Sequence, residues 1–276
     1  MISGNKPVNG SPTKTEREAW ERRAEVSGRS LRGVLFKGLP EILNKALHKF
    51  HTEIILQELS RIQDDSSILD AGCGYGRISV EIRKSFPKFK IIGLDSSWRY
   101  VKSYIGHISG ETAAVQGDII HLPFHSESFN AVVVVTCLMY LPHHLCSKCL
   151  QELFRVAKRG GVIILVEPGL AAQKTYSCFG LTKYLRRGGR SGKYNTGGAG
   201  FRLRELMAWV KENRGNVSKV YGNPGFALML LPLLAALWIS SGPLFQKLYR
   251  LSCSLDRIFQ NRGTYSIHMG LVLKKE

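Results

Sequence analysis

The chain has 276 residues, of which 44% are apolar and 22% charged, and this composition excludes a wholly disordered protein. Lysine and arginine total 39 against 21 acidic residues, and the resulting net charge of +18 favours an acidic partner: nucleic acid, an anionic membrane surface or an anionic substrate. Six scattered cysteines and an N-terminus without an apolar run predict a reduced, cytoplasmic protein rather than a secreted disulfide framework.

The first 65 residues divide into a polar tail and a helical segment. Residues 1–15 are rich in Gly, Pro, Ser, Asn and Lys, which predicts a disordered tail. Residues 16–65 are expected to be helical, with a short charged helix over 16–28. A longer amphipathic helix is expected from Pro40 to about Ile62, because its apolar residues recur at helical spacing.

Short β-branched runs alternate with helical stretches from 66 to 168. This alternation predicts an α/β fold with a parallel sheet covered by helices on both faces. The runs AVVVVT and GVIILV are almost continuously apolar, as central strands buried on both faces are. A helix is expected near 97–107 and another over about 143–158.

The regular alternation stops after Pro168. Residues 169–200 are rich in Gly, Lys and Arg and are predicted to form a flexible connection or lid, so that 169–276 is a lid and substrate region. A helix over 201–213 and a strand over 217–221 follow, and the closing segment YSIHMGLVLKK is typical of a strand. Between them, residues 222–262 are interpreted as an insertion that contains the apolar run FALMLLPLLAALWI.

The segment ILDAGCGYGR joins a predicted strand to a predicted helix. Three alternating glycines allow positive φ angles and close approach to a ligand, and the helix N-terminus presents free N–H groups there. A dinucleotide fold has the spacing G-x-G-x-x-G, whereas this one is G-x-G-x-G and is preceded by Asp70. A carboxylate at that position repels a pyrophosphate and suits an ammonium group, such as the amino acid end of S-adenosylmethionine.

Two further acids follow the next two predicted strands. Asp95 ends the strand in GLDSS, where a carboxylate can accept both ribose hydroxyl protons. Asp118 follows the strand after that, within reach of an adenine amino group. Three acids at successive strand ends, together with the Gly-rich turn, are a far more specific signal than the turn alone.

Residues 66–168 resemble the cofactor domain of class I S-adenosylmethionine-dependent methyltransferases, in the broad type 11-like group that includes quinone-biosynthesis and sterol methyltransferases. The matching segments are LDAGCGYGR, GLDSS, GDIIHLPF, SFNAVVVVTCLMYLPH and LFRVAKRGGVIILVEP. The resemblance implies a Rossmann-like seven-stranded sheet, mostly parallel with an antiparallel last strand, and S-adenosyl-L-methionine as cofactor. The cofactor-binding residues that it implies are Asp70, Gly72, Cys73, Gly74, Asp95, Ser96, Asp118, Ile119 and Thr136.

The resemblance also implies a role for these positions. Asp70 and the first two glycines bind the methionine part, Asp95 the ribose and Asp118 the adenine, while Ile119 flanks the ring and Thr136 lies beside the sulfonium carbon. Departures from the usual pattern are Asn130 before the fourth strand and the segment 158–161 before the fifth, both expected to be structural turns. Tyr140 stands where relatives often carry Glu or His, which leaves the substrate-side chemistry open.

Methyl transfer needs a base only when the acceptor holds a tightly bound proton. The weak candidates for such a base are Tyr140, His121, His125, His143 and His144. His143, His144, Cys146 and Cys149 also suggest zinc, but at helical spacing the two cysteines share a stripe with Leu150, Leu153, Phe154 and Ala157, so they are expected to face the core and no metal site is predicted.

Three functions remain open at this point. The apolar run 226–239 lies beside a basic stretch, 171–220, with 11 Lys or Arg and 2 Glu, which favours methylation of a small apolar or lipid-linked (for example quinone-like) acceptor by a protein peripheral to an anionic membrane. A capping helix with a solvated basic loop explains the same residues. The net charge keeps an RNA methyltransferase as an alternative, although no RNA-binding module is recognisable, and a non-catalytic cofactor-binding protein is the third.

Overall fold

A computed structural model of the chain describes residues 14–35, 41–110, 112–170, 200–224, 247, 251, 254–255 and 266–275. The helices are α1 (Lys14–Ser27), α2 (Leu31–Val34), α3 (Glu41–Leu59), α4 (Arg77–Ser85), α5 (Trp98–Ile105), α6 (His143–Val156) and α7 (Leu203–Glu212), with a 3-10 turn over Leu138–Tyr140. The strands are β1 (Ser67–Ala71), β2 (Lys90–Asp95), β3 (Thr112–Gln116), β4 (Phe129–Val135), β5 (Ala157–Pro168), β6 (Asn216–Pro224) and β7 (Ser266–Lys274).

The seven strands form one sheet in the order β3-β2-β1-β4-β5-β7-β6. Strands β1 to β5 are parallel to one another, and β7 inserts antiparallel between β5 and β6. This confirms the predicted α/β class and the antiparallel last strand. The order reverses at β1, so β1 and β4 are neighbours whose helices leave to opposite faces, and ligand crevices form at such switch points.

The central strand β4 is buried on both faces, as its apolar run predicts. Ala131, Val133 and Val135 pack with α3 and α4 on one face, whereas Val132 and Val134 pack with α6 and α7 on the other. Successive strand residues point to opposite faces, so a strand covered on both sides needs an apolar residue at every position.

The predicted amphipathic helix is α3, and its apolar stripe covers one face of the sheet. Leu47, Ile54, Ile55 and Leu59 are all buried. Helix α1 begins at Lys14, so residues 14 and 15, which were expected to belong to the disordered tail, are helical; residues 1–13 lie outside the described residues.

Several boundaries differ from the sequence-based expectations. Helix α6 ends at Val156, and residues 158–161 lie within β5, where the pairing shifts from Phe129↔Ala157 to Ala131↔Val162, so they form an irregular strand segment rather than a turn between elements. Asn130 lies within β4, and its side-chain oxygen accepts from the Ser67 N–H and from Lys158 Nζ. Its role is structural, but it is not in a turn.

The region after β5 is described only in part. The two ends of the predicted lid are tied together, because the Phe201 N–H donates to Pro168 O and the Leu170 N–H donates to Phe201 O. Residues 171–199 and the apolar run 226–239 lie outside the described residues. Residues 222–224, expected to begin the insertion, belong to β6.

No helix among the described parts of the chain is both long and apolar enough to cross a membrane.

Candidate functional site

The carboxyl ends of the parallel strands bring five polar residues to one edge of the sheet. Asp70 is near the end of β1, Asp95 ends β2, Asp118 follows β3, Thr136 follows β4 and Glu167 is near the end of β5. The site is at this edge because parallel strands all end on the same side.

The glycine turn closes tightly onto β2. The N–H groups of Gly72 and Cys73 both donate to Leu94 O, at 2.7 and 2.9 Å. Gly72, Gly74 and Gly76 have φ angles of 79°, 55° and 88°, which disfavour any residue with a Cβ. The motif therefore adopts the turn that its spacing predicts, and it leads directly into α4.

Cys73 departs from the predicted role in one respect. Its side chain is buried in a small cluster with Tyr104 and Ile108, and its thiol donates to Gly74 O at 3.5 Å. Ser96, the other flanking position, accepts a hydrogen bond from Gln116 Nε2 on its backbone oxygen.

Asp70 is 2% exposed and lies beneath the turn. Its Oδ2 accepts from Ser79 Oγ at 2.7 Å, and Ser79 Oγ in turn accepts from Tyr104 Oη. Burial raises the pKa of Asp70 to about 6, against the effects of the Ser79 hydrogen bond and the Arg77 charge. An added positive charge at the turn would shift this carboxyl towards its ionised form.

Asp95 joins the glycine turn to the start of α5. Its Oδ2 accepts from the Gly74 N–H and its Oδ1 from the Ser97 N–H, both at 2.9 Å. Burial raises its pKa to about 6, although both backbone hydrogen bonds oppose that shift. Each carboxylate oxygen retains further acceptor capacity, so the carboxyl can still receive hydroxyl protons.

Only one of the two carboxylate oxygens of Asp118 accepts a hydrogen bond. Its Oδ1 accepts from the Ile120 N–H at 3.1 Å, whereas its Oδ2 is buried without a hydrogen-bond partner. A buried acceptor of this kind costs free energy unless a donor reaches it. The adjacent Ile119 is 6% exposed and packs into the core beside it.

The end of β4 makes a sharp turn. Thr136 has a φ of 53°, which is rare for a β-branched residue, and its N–H donates to Val166 O at 2.7 Å. The carboxylate of Glu167 accepts the next three backbone N–H groups, those of Cys137, Leu138 and Met139. Glu167 was missed from the sequence, although it shows the same signal as the other acids, a single carboxylate at the end of an apolar strand.

A second missed feature is a buried basic network beside α4. Arg77 donates to Nδ1 of His48 at 3.2 Å and to Nδ1 of His51 at 3.3 Å, so the proton of neutral His51 is on Nε2, which contacts His268 Nδ1 at 2.8 Å. Burial lowers the pKa of His268 to about 3 and that of His48 to about 4. The imidazoles are therefore neutral, and the sequence offers no local signal for contacts between residues this far apart.

The N-terminal helices cover the site. Val34 of α2 lies 3.2 Å from the position that a Cβ on Gly74 would occupy. The Trp20 ring of α1 packs edge-on against Tyr140, with 4.7 Å between ring centroids, and Arg23 lies 5.0 Å over the Trp20 ring. Among the described residues, α2 therefore contacts the glycine turn and α1 packs on Tyr140, whereas residues 171–199 of the predicted lid lie outside the described residues.

The candidate bases occupy very different positions. His125 lies shortly before the start of β4, where its carbonyl accepts from Ser128 Oγ, at the edge of the sheet opposite the strand-end acids, which argues against a catalytic role there. His121 is exposed, and its Nε2 contacts Lys148 Nζ. His143 and His144 are exposed at the start of α6, where the His143 ring contacts Phe201 and Trp209.

Tyr140 lies at the carboxyl edge of the sheet but is a poor base. Burial raises the pKa of its hydroxyl, and the neighbouring Arg23 charge only partly opposes this shift. The hydroxyl therefore stays protonated at neutral pH and can donate a hydrogen bond.

Cys146 and Cys149 face the core, as predicted, and both are fully buried. Their stripe continues through Leu150, Leu153 and Phe154, although Ala157 belongs to β5 rather than to the helix. Among the residues that the structure describes, no three His, Cys, Asp or Glu side chains converge as metal ligands would.

Comparison with known proteins agrees with this geometry. Residues 68–161 match a family model described as a methyltransferase domain. That match runs from β1 into the first residues of β5 and contains the glycine turn and all three strand-end aspartates. Residues 68–161 are a class I methyltransferase domain.

Curated relatives and solved structures carry the same type of domain. A demethylmenaquinone methyltransferase of Lactococcus lactis is 34% identical over 106 residues, which are 37% of this chain and 41% of that protein. A sterol 24-C-methyltransferase of Candida albicans is 29% identical over 122 residues, which are 42% of this chain and 31% of that protein. The chain thus spans less than half the length of these two relatives.

A crystal structure of an S-adenosylmethionine-dependent methyltransferase from Methanosarcina mazei superimposes with a TM-score of 0.54 at 19% identity, covering 79% of this chain and 96% of that one. The methyltransferase domain therefore has the same fold.

Proposed function

We propose that the chain transfers a methyl group from S-adenosyl-L-methionine to a small acceptor that is apolar or lipid-linked. The observation that carries this proposal is the set of strand-end acids around one glycine turn, of which Asp118 keeps a buried oxygen without a donor. The exocyclic amino group of an adenine is a donor of the kind that this oxygen lacks.

The residues present fit the rest of the cofactor as well. The glycine turn leads into the N-terminus of α4, which no side chain caps, and the buried Asp70 at the end of β1 complements an ammonium group. Asp95, at the end of the next strand, retains acceptor capacity for ribose hydroxyls. Thr136 and the turn that follows would border the sulfonium end.

The bound cofactor supplies a methyl group already activated by its positive sulfur. The protein then has mainly to position the acceptor in line and to exclude water. Tyr140 can orient an acceptor by donating its hydroxyl proton, and the packing of Trp20 on Tyr140 shields this end of the site. The remaining base candidates on the carboxyl side of the sheet are His143 and His144, at the start of α6, and His121, beside Asp118.

The nature of the acceptor is supported by sequence features and by the relatives. The two relatives above are named for sterol and demethylmenaquinone substrates, both largely apolar molecules. The apolar run 226–239 beside the basic stretch 171–220 suits contact with an anionic membrane surface. Sedimentation with anionic liposomes at low salt tests this part, and a protein that stays in the supernatant contradicts it.

The net charge of +18 supports one alternative acceptor, RNA. A steep salt dependence of binding to a structured RNA, with no binding to anionic liposomes, would favour that alternative. Binding of cofactor without turnover on any quinone, sterol or RNA would favour a non-catalytic role.

Calorimetric titration with S-adenosylhomocysteine tests the cofactor site directly. We expect binding by the full chain, weakened at least about tenfold in Asp95→Ala, because a carboxylate that accepts charged hydrogen bonds is lost. Asp64→Ala is the matched control, since Asp64 is an exposed carboxylate whose only described ion pair is with Lys88. Absence of binding by the parent protein would overturn the proposed function.

A further inference from the structure

A buried carboxylate lies at the end of β5 without a cation beside it. Glu167 is 0% exposed, and no Lys, Arg or His in the described parts of the chain forms an ion pair with it. Burying an unpaired carboxylate is costly, and burial raises the pKa of Glu167 to about 7. Some other interaction must offset this cost.

Backbone N–H groups of the turn after β4 provide the interaction that offsets the burial of the Glu167 carboxylate. Oε1 of Glu167 accepts from the N–H groups of Cys137 and Leu138, at 2.9 and 2.8 Å, and Oε2 accepts from that of Met139, at 3.2 Å. The 3-10 turn Leu138–Tyr140 leaves these N–H groups without intrahelical acceptors. One side chain of β5 thus binds the whole beginning of the turn.

The turn needs this support because it begins with a strained residue. A φ of 53° is unfavourable for the β-branched Thr136, and such a conformation persists only where the surroundings fix it. The backbone of Val166 holds Thr136 itself, and the side chain of the next residue, Glu167, holds the three residues that follow. Both restraints come from β5.

The turn that Glu167 holds also fixes one wall of the cofactor crevice. Cys137 Sγ lies 2.7 Å from the position that a Cβ on Gly72 would take, so the turn and the glycine motif are in close contact. Tyr140 ends the same turn and contacts Trp20 on the acceptor side. Moving the turn would change both the methionine end and the acceptor end of the site.

On this basis we propose that Glu167 is a positioning residue for methyl transfer: its ionised carboxylate holds the Thr136–Tyr140 turn against the glycine motif in the geometry that binds the cofactor. The inference rests on the proposed function, but the contacts that it invokes belong to the protein alone.

Near neutral pH, the titratable groups around Glu167 keep one protonation state, so only the charge of Glu167 changes. Burial raises the thiol pKa of three neighbouring cysteines and the hydroxyl pKa of one tyrosine. The residue that pairs with Glu167 from β7 is Met269, which carries no charge. These titratable neighbours are Cys137 and Tyr140 on the turn and Cys146 and Cys149 on α6. All four remain neutral between pH 6 and 8.

Two kinds of measurement on the full chain test the proposal. Calorimetry with S-adenosylhomocysteine is expected to show roughly tenfold weaker binding in Glu167→Gln, as for the loss of one charge-assisted hydrogen bond. Glu152→Gln is the matched control, because Glu152 also accepts a backbone N–H, that of Leu122, but is only partly buried and is paired with Arg155. Glu167→Asp, which keeps the charge on a shorter side chain, should recover part of the affinity.

Amide resonances supply a readout within the parent protein. The N–H signals of residues 137–139 should titrate together near pH 7 and lose this titration in Glu167→Gln. The N–H signals of Gly74 and Ser97, which donate to Asp95, should keep their own titration in the variant. If the variant fails to fold, the parent alone provides the test: residues 137–139 should titrate together near pH 7, and S-adenosylhomocysteine affinity should begin to fall there, above the pH near 6 at which the Asp70 and Asp95 carboxyls, whose pKa is about 6, take up protons.

The outcomes separate the two proposals. A parent protein that does not bind S-adenosylhomocysteine contradicts the proposed function. A parent that binds it, with unchanged affinity in Glu167→Gln or with no titration of residues 137–139, contradicts the role of Glu167 and leaves the proposed function intact.

Discussion

Replacing Gly72 with alanine should destabilise the protein for two separable reasons. The φ of 79° disfavours any residue with a Cβ, and the added Cβ would lie 2.7 Å from Cys137 Sγ and 3.0 Å from Cys137 Cβ. The first effect costs about 1 kcal/mol after allowing for the lower entropy of unfolded alanine. The second is a local overpacking that costs about 1–3 kcal/mol. The sum is about 2–4 kcal/mol, or a decrease in Tm of roughly 5–10 °C for a chain of this size.

Gly160 supplies the matched control. Its φ is 70°, but nothing lies within 4 Å of a Cβ added there, so Gly160→Ala should cost only the conformational part, about 1 kcal/mol. The difference between the two variants measures the contact between the glycine motif and the β4 turn. Thermal and urea unfolding followed by circular dichroism provide both values.

A second substitution tests the identity of the neighbour. Cys137→Ala removes the sulfur, so in the double variant it should recover most of the steric part of the Gly72→Ala effect. Equal costs for Gly72→Ala and Gly160→Ala, or purely additive effects in the double variant, would refute the argument that the two turns are in close contact.

Three other predictions follow from the described contacts. Glu21 of α1 accepts hydrogen bonds from the backbone N–H groups of Trp98 and Arg99 at the start of α5. Glu21→Gln should therefore loosen α1 and speed the dissociation of S-adenosylhomocysteine several-fold, as measured by stopped flow. An unchanged rate would show that α1 does not retain the ligand. His125 lies at the far edge of the sheet, so His125→Ala should leave S-adenosylhomocysteine affinity within about twofold of the parent by calorimetry, and a large loss would contradict that placement. The pKa of Glu167 in the folded protein is raised to about 7, so protonation of this carboxyl adds stability as the pH falls from about 7 towards 4.5. Urea unfolding should therefore show that Glu167→Gln loses stability on acidification more steeply than the parent, by up to about 1.4 kcal/mol per pH unit. Parallel stability profiles would contradict the raised pKa.

The core of the fold could be predicted from the sequence because hydrophobic patterning is local. The continuous apolar run of β4 is needed by any strand that is covered on both faces, and the helical spacing along α3 and α6 specifies which stripe is buried. The element boundaries were less certain, since the irregular start of β5 is set by its pairing with β4 rather than by its own sequence.

The strand-end aspartates could be predicted for a different reason. Parallel strands place their carboxyl ends at one edge, so acids at successive strand ends must converge. Glu167 follows the same rule and could have been found by it. The direction of the Cys73 side chain could not be predicted from the sequence, because it depends on the space that Tyr104 and Ile108 leave beside Gly93.

The sequence by itself determined the order of strands and helices, the glycine turn and the acids beside it, because each depends on neighbouring residues and on the direction of parallel strands. Only the tertiary structure decided that α2 contacts the glycine turn, that Arg77 contacts His48 and His51 with His268 next to His51, and that Glu167 holds the strained turn after Thr136. Those contacts join segments up to 217 residues apart, and no local pattern encodes them, because they arise from how the packed elements meet.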